Sequence, residues 1–140
     1  MLQAIIIDAE NHVRDSLAKL LAMHCPKVAV VGEAAGMKEG VNAIQSLKPD
    51  LVFLDIDLKD GTGVDLLNNL NVVDFKIIFI SARDKNAIQA FKLSCVEYLI
   101  KPINPEELKV AVRQVVESDQ DGLALQLKAL EANLYKNLAL

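Results

Sequence analysis

Five short apolar runs stand out in the first hundred residues of the chain. One of them, Leu51 to Leu54, follows Pro49-Asp50 and is itself followed by acids and glycines. Short runs with such flanks are typical of strands that are buried on both faces of a parallel sheet. The pattern therefore predicts five strands, at residues 4–7, 28–31, 51–54, 77–80 and 98–100, the second of them closed by Gly32.

Between these runs, apolar residues recur every three or four positions, which is the spacing of an amphipathic helix. Cys25-Pro26 and Pro49 stop the first two helices, and Asn104-Pro105 combines an N-cap residue with a proline at the first helical position. The five predicted helices carry these apolar positions: Val13, Leu17, Leu20 and Leu21; Met37, Val41, Ile44 and Leu47; Val64, Leu67 and Leu70; Ala87, Ile88, Phe91 and Cys95 behind the N-cap Asp84; and Leu108, Val112, Val115 and Val116.

Strands and helices alternate along the chain, which predicts an α/β fold with a doubly wound, five-stranded parallel sheet and five helices. Periodicity leaves the strand order open. The carboxyl ends of parallel strands share one edge, and open α/β sheets bind their ligands there. Four polar residues stand at these strand ends, namely Asp8, Asp55, Ser81 and Lys101. We therefore expect these four side chains to converge.

This set of side chains suits the transfer of a phosphoryl group to the Asp55 carboxylate, a reaction that depends on positioning and charge stabilisation. Asp8, Asp55 and the backbone carbonyl of Asp57 supply the oxygen ligands that a divalent cation prefers. Lys101 can neutralise one phosphoryl oxygen and the Ser81 hydroxyl can donate to another. The competing interpretation is that Asp55 and Asp57 merely end a strand and solvate the following loop.

Composition narrows the class of protein. A chain of 140 residues fits one domain with a short appendage, and its net charge of -4 argues against a nucleic-acid surface. The N-terminal apolar run is too short for a signal peptide or a membrane span. Cys25 and Cys95 stand alone, without metal-ligand or disulfide spacing. We therefore expect reduced thiols in a cytoplasmic protein that binds neither membrane nor nucleic acid.

The motifs Ile7-Asp8 with Glu10, Leu54-Asp55-Ile56, Asp60-Gly61, Ser81-Ala82 and Tyr98-Leu99-Ile100-Lys101-Pro102 make residues 2–118 resemble the receiver domain of two-component response regulators. The resemblance implies a flavodoxin-like fold and a Mg²⁺ cofactor. It also implies that Asp55 is the phosphoacceptor, Lys101 the phosphate-binding lysine, Ser81 the switch hydroxyl and Tyr98 the switch aromatic. It further implies a cis peptide bond between Lys101 and Pro102.

The same resemblance implies two kinds of partner. One is a sensor histidine kinase that supplies the phosphoryl group. The other is a second copy of the chain, bound through the face formed by the predicted fourth helix, fifth strand and fifth helix. In detail, Ala90-Phe91 and residues 97–103 are similar to receivers joined to LytTR-type DNA-binding domains. The implied function is a phosphorylation-dependent signalling domain and not a multiple-turnover enzyme.

Two positions depart from the family pattern. Ala9 stands where receivers usually carry a second acid that binds the metal, so we expect weaker Mg²⁺ binding and slower phosphorylation. Glu10 is the nearest replacement ligand, but the favoured interpretation is that its carboxylate only stabilises the positive N-terminal end of the first helix. Lys59 stands where receivers commonly carry a proline, in the loop after the phosphoacceptor. Its charge either screens the acid cluster at the strand ends or is solvated in the loop.

Beyond the receiver at residues 1–118, residues 119–122 are predicted to form a polar hinge. Residues 123–140 are predicted to form an amphipathic helix, because Leu123, Leu127, Leu130 and Leu134 alternate spacings of four and three. This helix either folds onto its own domain or mediates dimerisation or signalling. It can also lead to an effector domain of a longer protein.

Two other functions fit parts of the pattern. A haloacid-dehalogenase-like phosphatase also forms an aspartyl-phosphate at an Asp-x-Asp motif. However, Lys59 and the lack of a late acidic pair, for which Asp119 and Asp121 are poor substitutes, argue against it. A phosphorylation-independent pseudo-receiver that acts through its surface is consistent with Ala9.

Overall fold

The computed structural model describes residues 1–82 and 97–117. It contains strands and helices in the alternating order that the sequence predicts. In chain order they are β1 (Leu2–Ile7), α1 (Asn11–His24), β2 (Val28–Ala34), α2 (Met37–Leu47), β3 (Leu51–Asp55), β4 (Asp57–Leu58), β5 (Gly61–Thr62), α3 (Gly63–Asn68), β6 (Lys76–Ser81), β7 (Tyr98–Ile100) and α4 (Pro105–Glu117).

Five of the strands form one parallel sheet in the order β2-β1-β3-β6-β7. This arrangement confirms the predicted doubly wound α/β fold and supplies the strand order. The order reverses between β1 and β3, and open α/β sheets bind their ligands at such a reversal. Asp8 directly follows β1 and Asp55 is the last residue of β3. The two acids are neighbours because Ile7 pairs with Leu54.

The sheet is buried on both faces, and alternate residues of its strands enter two separate cores. On β1, Ile5 and Ile7 face the core that α2 and α3 cover, whereas Ala4 and Ile6 face the core under α1 and α4. All five residues of β3 are buried. This two-sided burial explains why the strands appear in the sequence as continuous apolar runs.

Two predicted boundaries were wrong, and one loop contains two short strands that were not predicted. β2 does not stop at Gly32 but continues to Ala34, because its pairing with β1 resumes after a bulge. A Cβ atom on Gly32 would lie 2.6 Å from Leu47 Cδ1, so the glycine admits a close approach of α2. α3 ends at Asn68, so Leu70 lies outside the helix. The loop after Asp55 contains the hairpin β4-β5, which the sequence pattern did not indicate.

Several predictions lie outside the described residues. They are the helix after Asp84, the hinge at residues 119–122 and the helix at residues 123–140. The predicted fifth helix is α4 of the structure. It starts as predicted, since the Asn104 side chain accepts hydrogen bonds from the backbone N–H groups of Glu106 and Glu107, at 2.8 and 3.2 Å.

Long-range contacts also stabilise the helix ends. The Asp60 carboxylate, on the hairpin, accepts hydrogen bonds from the N–H groups of Met37 and Lys38 at the start of α2, at 2.8 and 3.4 Å. Lys76 Nζ donates to the carbonyls of Val115 and Val116 at the end of α4, at 2.9 and 2.8 Å. Both pairs follow the charge preference of helix termini. Within residues 1–82 and 97–117, no helix has both the length and the apolar character needed to cross a membrane.

Gly63 is the point at which α3 approaches the end of β3 most closely. A Cβ atom there would lie 2.6 Å from the carbonyl oxygen of Asp55, which is backbone and cannot rotate away. We predict that Gly63→Ala lowers the free energy of unfolding by about 1–3 kcal/mol, as expected for overpacking. Urea denaturation measures this change.

Gly32→Ala is the matched control for this measurement. Its nearest contact would be Leu47 Cδ1, also at 2.6 Å, but Leu47 is 41% exposed and the end of its side chain can rotate away. An equal loss of stability in both variants would contradict a specific clash at the end of β3.

Candidate functional site: an acid pair at the sheet edge

Two buried carboxylates form the centre of the candidate site. Asp8 is fully buried and Asp55 is 5% exposed. The pairing of Ile7 with Leu54 brings together Asp8, directly after β1, and Asp55, the last residue of β3. The N–H group of Asp8 donates to the carbonyl of Ala34 at 3.0 Å, so this residue still follows the strand direction. The predicted convergence of these two acids is observed in the structure.

Lys101 joins the two carboxylates. Its Nζ atom lies 2.5 Å from Asp8 Oδ2 and 3.1 Å from Asp55 Oδ2, and it donates a hydrogen bond to the latter. The residue directly follows β7, and its N–H group donates to the carbonyl of Ser81 at 2.7 Å. The Lys101-Pro102 peptide bond is cis, as the resemblance implied. Three of the four predicted strand-end residues are therefore in direct contact.

The electrostatics of the site follow from burying two like charges beside one cation. Burial, reinforced by the charge of Asp8, raises the pKa of Asp55 to about 6, although Lys101 opposes the change. Burial alone would lower the pKa of Lys101, but its contacts with Asp8 and Asp55 outweigh burial and raise that pKa. Lys101 therefore stays charged, while the carboxylate of Asp55 is only partly stabilised.

The donor set fits a divalent cation. Asp8 Oδ2 is buried and, within the described part of the chain, meets no hydrogen-bond donor in regular geometry, although Lys101 lies beside it. One lysine cannot neutralise two carboxylates, and Mg²⁺ commonly binds through one or two carboxylates together with water. No group of three His, Cys, Asp or Glu side chains surrounds a metal position in residues 1–82 and 97–117. Asp8 and Asp55 are thus the side chains that would hold the ion.

The other proposed metal ligands stand apart from this pair. The Glu10 carboxylate lies 3.1 Å from His12 Nε2 at the surface, and the Glu10 N–H group donates to Asp8 Oδ1 at 2.9 Å. Glu10 is the N-cap residue of α1 but makes no side-chain capping bond. Ala9 is half-buried and offers no oxygen ligand from its side chain. The structure therefore leaves the Glu10 carboxylate outside the acid pair.

The loop after Asp55 contacts the Asp55 carboxylate through a backbone N–H group. The N–H group of Asp57 donates to Asp55 Oδ1 at 3.2 Å, so both oxygens of Asp55 accept hydrogen bonds. Asp57 itself is exposed, and it begins the hairpin β4-β5. Lys59 lies in the turn of that hairpin and is also exposed.

Ser81 and Tyr98 lie on the two neighbouring strands. Ser81 ends β6 and is fully buried, one residue beyond Ile80, which pairs with Asp55. Tyr98 starts β7 opposite Phe79 and is half-buried. It packs against the apolar cluster that contains Ile56, the residue directly after Asp55. Ser81 thus lies at the carboxyl edge of the sheet, and Tyr98 packs against the apolar core below that edge.

Arg14 belongs to the site, although no sequence motif pointed to it. Its Nη1 atom donates to the carbonyl of Asp8 at 2.5 Å, Nη2 donates to Asn11 at 3.1 Å, and Nε lies 3.2 Å from Glu33 Oε1 on β2. Its position one helical turn after Glu10 was the available signal, but a basic residue early in a helix normally faces solvent. Arg14 fixes the backbone that carries Asp8.

Comparison with known proteins agrees with this geometry. Residues 4–113 match the sequence profile of the response regulator receiver domain. The chain belongs to the response regulator receiver family. Its sheet edge, with two buried acids and a lysine after the last strand, is the edge at which the sequence predicted the site.

Relatives of this receiver domain are response regulators of about twice its length. An uncharacterized response regulatory protein from Vibrio cholerae is 38% identical over 117 residues, which is 83% of this chain and 49% of the relative. The sensory transduction protein LytT from Bacillus subtilis is 32% identical over 137 residues, or 91% of this chain and 56% of the relative. The LytT relatives confirm the similarity to LytTR-type regulators. The chain spans about half the length of these relatives.

Solved receiver structures share the fold. The response regulatory domain of mrkE from Klebsiella pneumoniae is 26% identical, with a TM-score of 0.68, over 82% of this chain and 95% of that one. The isolated REC domain of RcsB from Salmonella enterica is 22% identical, with a TM-score of 0.72, over 84% and 90% of the two chains. Receivers are signalling domains, so the phosphatase alternative is set aside.

Removing the charge of Asp55 should stabilise the receiver above pH 6. A carboxyl whose pKa rises from 3.8 to about 6 on folding binds its proton more tightly in the folded state. Its protonation therefore favours the fold at low pH, and this contribution is lost as the pH rises through about 6. At about 1.4 kcal/mol per pKa unit, Asp55→Asn should gain about 1–3 kcal/mol at pH 8 and little below pH 4.

Urea denaturation between pH 4 and pH 8, in the presence of a metal chelator, measures this pH dependence. Asp15→Asn on the exposed side of α1 is the control. A stability difference for Asp55→Asn that did not vary with pH would contradict the raised pKa.

Replacing Arg14 should destabilise the fold through the backbone of Asp8. In Arg14→Ala the Asp8 carbonyl loses its donor, and a part-buried acceptor left unpaired costs about 1–3 kcal/mol. The measurement is again the free energy of unfolding, compared with that of Lys19→Ala on the exposed face of the same helix. Equal effects of the two substitutions would mean that the contact with Asp8 contributes nothing measurable.

Proposed function

We propose that this receiver accepts a phosphoryl group on Asp55 from a sensor histidine kinase and changes a partner-binding surface in response. The observation that carries the proposal is the contact of Lys101 with Asp55 and Asp8 at 3.1 and 2.5 Å. It supports a site in which a nucleophilic carboxylate, a neutralising cation and a second acid act together. The family match supports the kinase as donor.

In the proposed reaction, an oxygen of the Asp55 carboxylate attacks the phosphorus of a phosphohistidine on the kinase. The new O–P bond forms as the P–N bond breaks, and the bonding electron pair stays with the imidazole of the donor. A pKa of about 6 leaves Asp55 mainly ionised at neutral pH, yet only partly stabilised by its neighbours. Such a carboxylate is available as a nucleophile.

Lys101 would remain at the site and neutralise one oxygen of the transferred group, since it is held by two carboxylates that share its charge. The N–H group of Asp57, which now donates to Asp55, would orient the same carboxylate. Mg²⁺, which receiver domains typically bind, would supply further neutralisation of phosphoryl charge, held by Asp8 and Asp55 with the Asp57 carbonyl as third ligand. Glu10 is not needed in this scheme.

The proposed response starts at Ser81. A phosphoryl group adds about two negative charges and three acceptor oxygens, which can attract the Ser81 hydroxyl from the neighbouring strand end. Tyr98 shares an apolar cluster with Ile56, so a shift at the end of β3 can alter how Tyr98 packs. Together, β7 and α4 would form part of the surface that binds a second copy of the chain or an effector.

A second candidate is a pseudo-receiver that signals without phosphorylation. One observation favours it: the Glu10 carboxylate pairs with His12 and does not replace the acid missing at Ala9. Such a domain would bind its partner equally well with Asp55 intact or replaced. The two candidates therefore differ in a direct chemical measurement.

Intact-mass analysis distinguishes them. After incubation with Mg²⁺ and a small-molecule phosphodonor, we expect one phosphoryl adduct on the wild-type chain and none on Asp55→Asn. Lys101→Met should form the adduct much more slowly, since removing a charge-assisted contact made in the transition state typically costs 10²-fold or more. A wild-type chain that stays unmodified, in the presence or absence of a cognate kinase, would favour the pseudo-receiver.

Ala9 should limit the affinity of the site for Mg²⁺. We predict that Ala9→Asp adds a third carboxylate and tightens Mg²⁺ binding about tenfold or more, because each additional charged ligand strengthens a hard-cation site. Isothermal titration calorimetry measures the affinity, and Ala9→Asn is the control of equal shape without charge. If both variants bind Mg²⁺ like the wild type, position 9 does not face the ion.

A further inference from the structure

An open apolar groove of about 870 Å³ lies at the edge of the sheet opposite Asp55. Its walls come from the starts of β1 and β2 and from one side of α4, and its apolar residues include Leu2, Val28, Val112 and Val116. Val116 is 41% exposed. The groove is therefore separate from the acid pair, and the proposed phosphotransfer makes no use of it.

The volume of this groove lies in the range of ligand-binding clefts, about 300–1,000 Å³. Three basic residues, Lys27, Lys109 and Arg113, line it together with its apolar residues. An occupant should thus combine several apolar side chains with neighbouring acids. A purely basic or purely polar segment would not fit.

The chain itself supplies such a segment directly after the groove. Glu117, the last described residue of α4, lines the groove, and residue 118 follows it in the sequence. Residues 118–127 contain Asp119 and Asp121, no lysine or arginine, and three leucines at positions 123, 125 and 127. Leu123 is six residues beyond Glu117, a reach of up to about 20 Å.

We propose that residues 118–127 of the same chain bind in this groove. The leucines would cover its apolar walls, and Asp119 and Asp121 would face Lys109 and Arg113. Of the two roles predicted for the C-terminal segment, this proposal selects packing onto its own domain. It does not depend on phosphorylation, so it stands or fails separately from the proposed function.

Methyl NMR of the full chain tests the contact directly. We expect nuclear Overhauser effects (NOEs) between the valine methyls of Val28, Val112 and Val116 and the methyls of Leu123, Leu125 or Leu127. These NOEs should be independent of protein concentration. In a mixture of labelled and unlabelled chains, filtered to show only contacts between molecules, they should be absent. A lack of these NOEs, or their appearance in the filtered experiment, overturns the proposal, and the second result would make a second copy the occupant.

Two sets of variants sharpen the test. The double variant with Leu123→Ser and Leu127→Ser should change the chemical shifts of the groove valine methyls. The matched double variant with Leu134→Ser and Leu138→Ser should leave these chemical shifts unchanged. Asp121→Lys should produce a similar shift, and adding Arg113→Glu should reverse it. Equal shifts from both leucine pairs, or no rescue by the charge reversal, would contradict binding by residues 118–127.

Discussion

Pairing of β1 with β3 is the constraint on which the rest of this site depends. The register that sets Ile7 beside Leu54 forces Asp8 and Asp55 into one buried space. Two carboxylates so placed repel each other, and the strands cannot separate without losing the core on both faces of the sheet. Lys101 resolves the conflict only partly, because it brings one positive charge to two acids.

Other contacts hold this arrangement in position. Arg14 binds the carbonyl of Asp8 and links α1 to Glu33 at the end of β2. Gly63 lets the start of α3 approach the backbone of Asp55, where any side chain would collide with it. These residues need not touch a phosphoryl group. They maintain a geometry that is electrostatically unfavourable without a bound cation, as is common at functional sites.

Local sequence patterns were sufficient to predict the elements whose conformation depends mainly on their own residues. The Leu51–Asp55 strand followed from an apolar run between polar flanks, and the start of α4 followed from Asn104-Pro105. The hairpin β4-β5 could not be predicted in this way, because each strand is only two residues long and has no periodicity. The extension of β2 past Gly32 depends on pairing with β1, which no local signal encodes.

The fold class and the residues at the strand ends could be predicted from the sequence alone, because burial on both sheet faces leaves continuous apolar runs with polar ends. The sequence also placed Asp8, Asp55 and Lys101 at one sheet edge, since parallel strands share their carboxyl side. Three contacts appear only in the folded protein: Lys101 with both acids, Glu10 with His12, and Arg14 with the backbone of Asp8. The contacts of Lys101 join residues far apart in the chain, and the other two depend on side-chain rotamers, which the order of residue types does not specify.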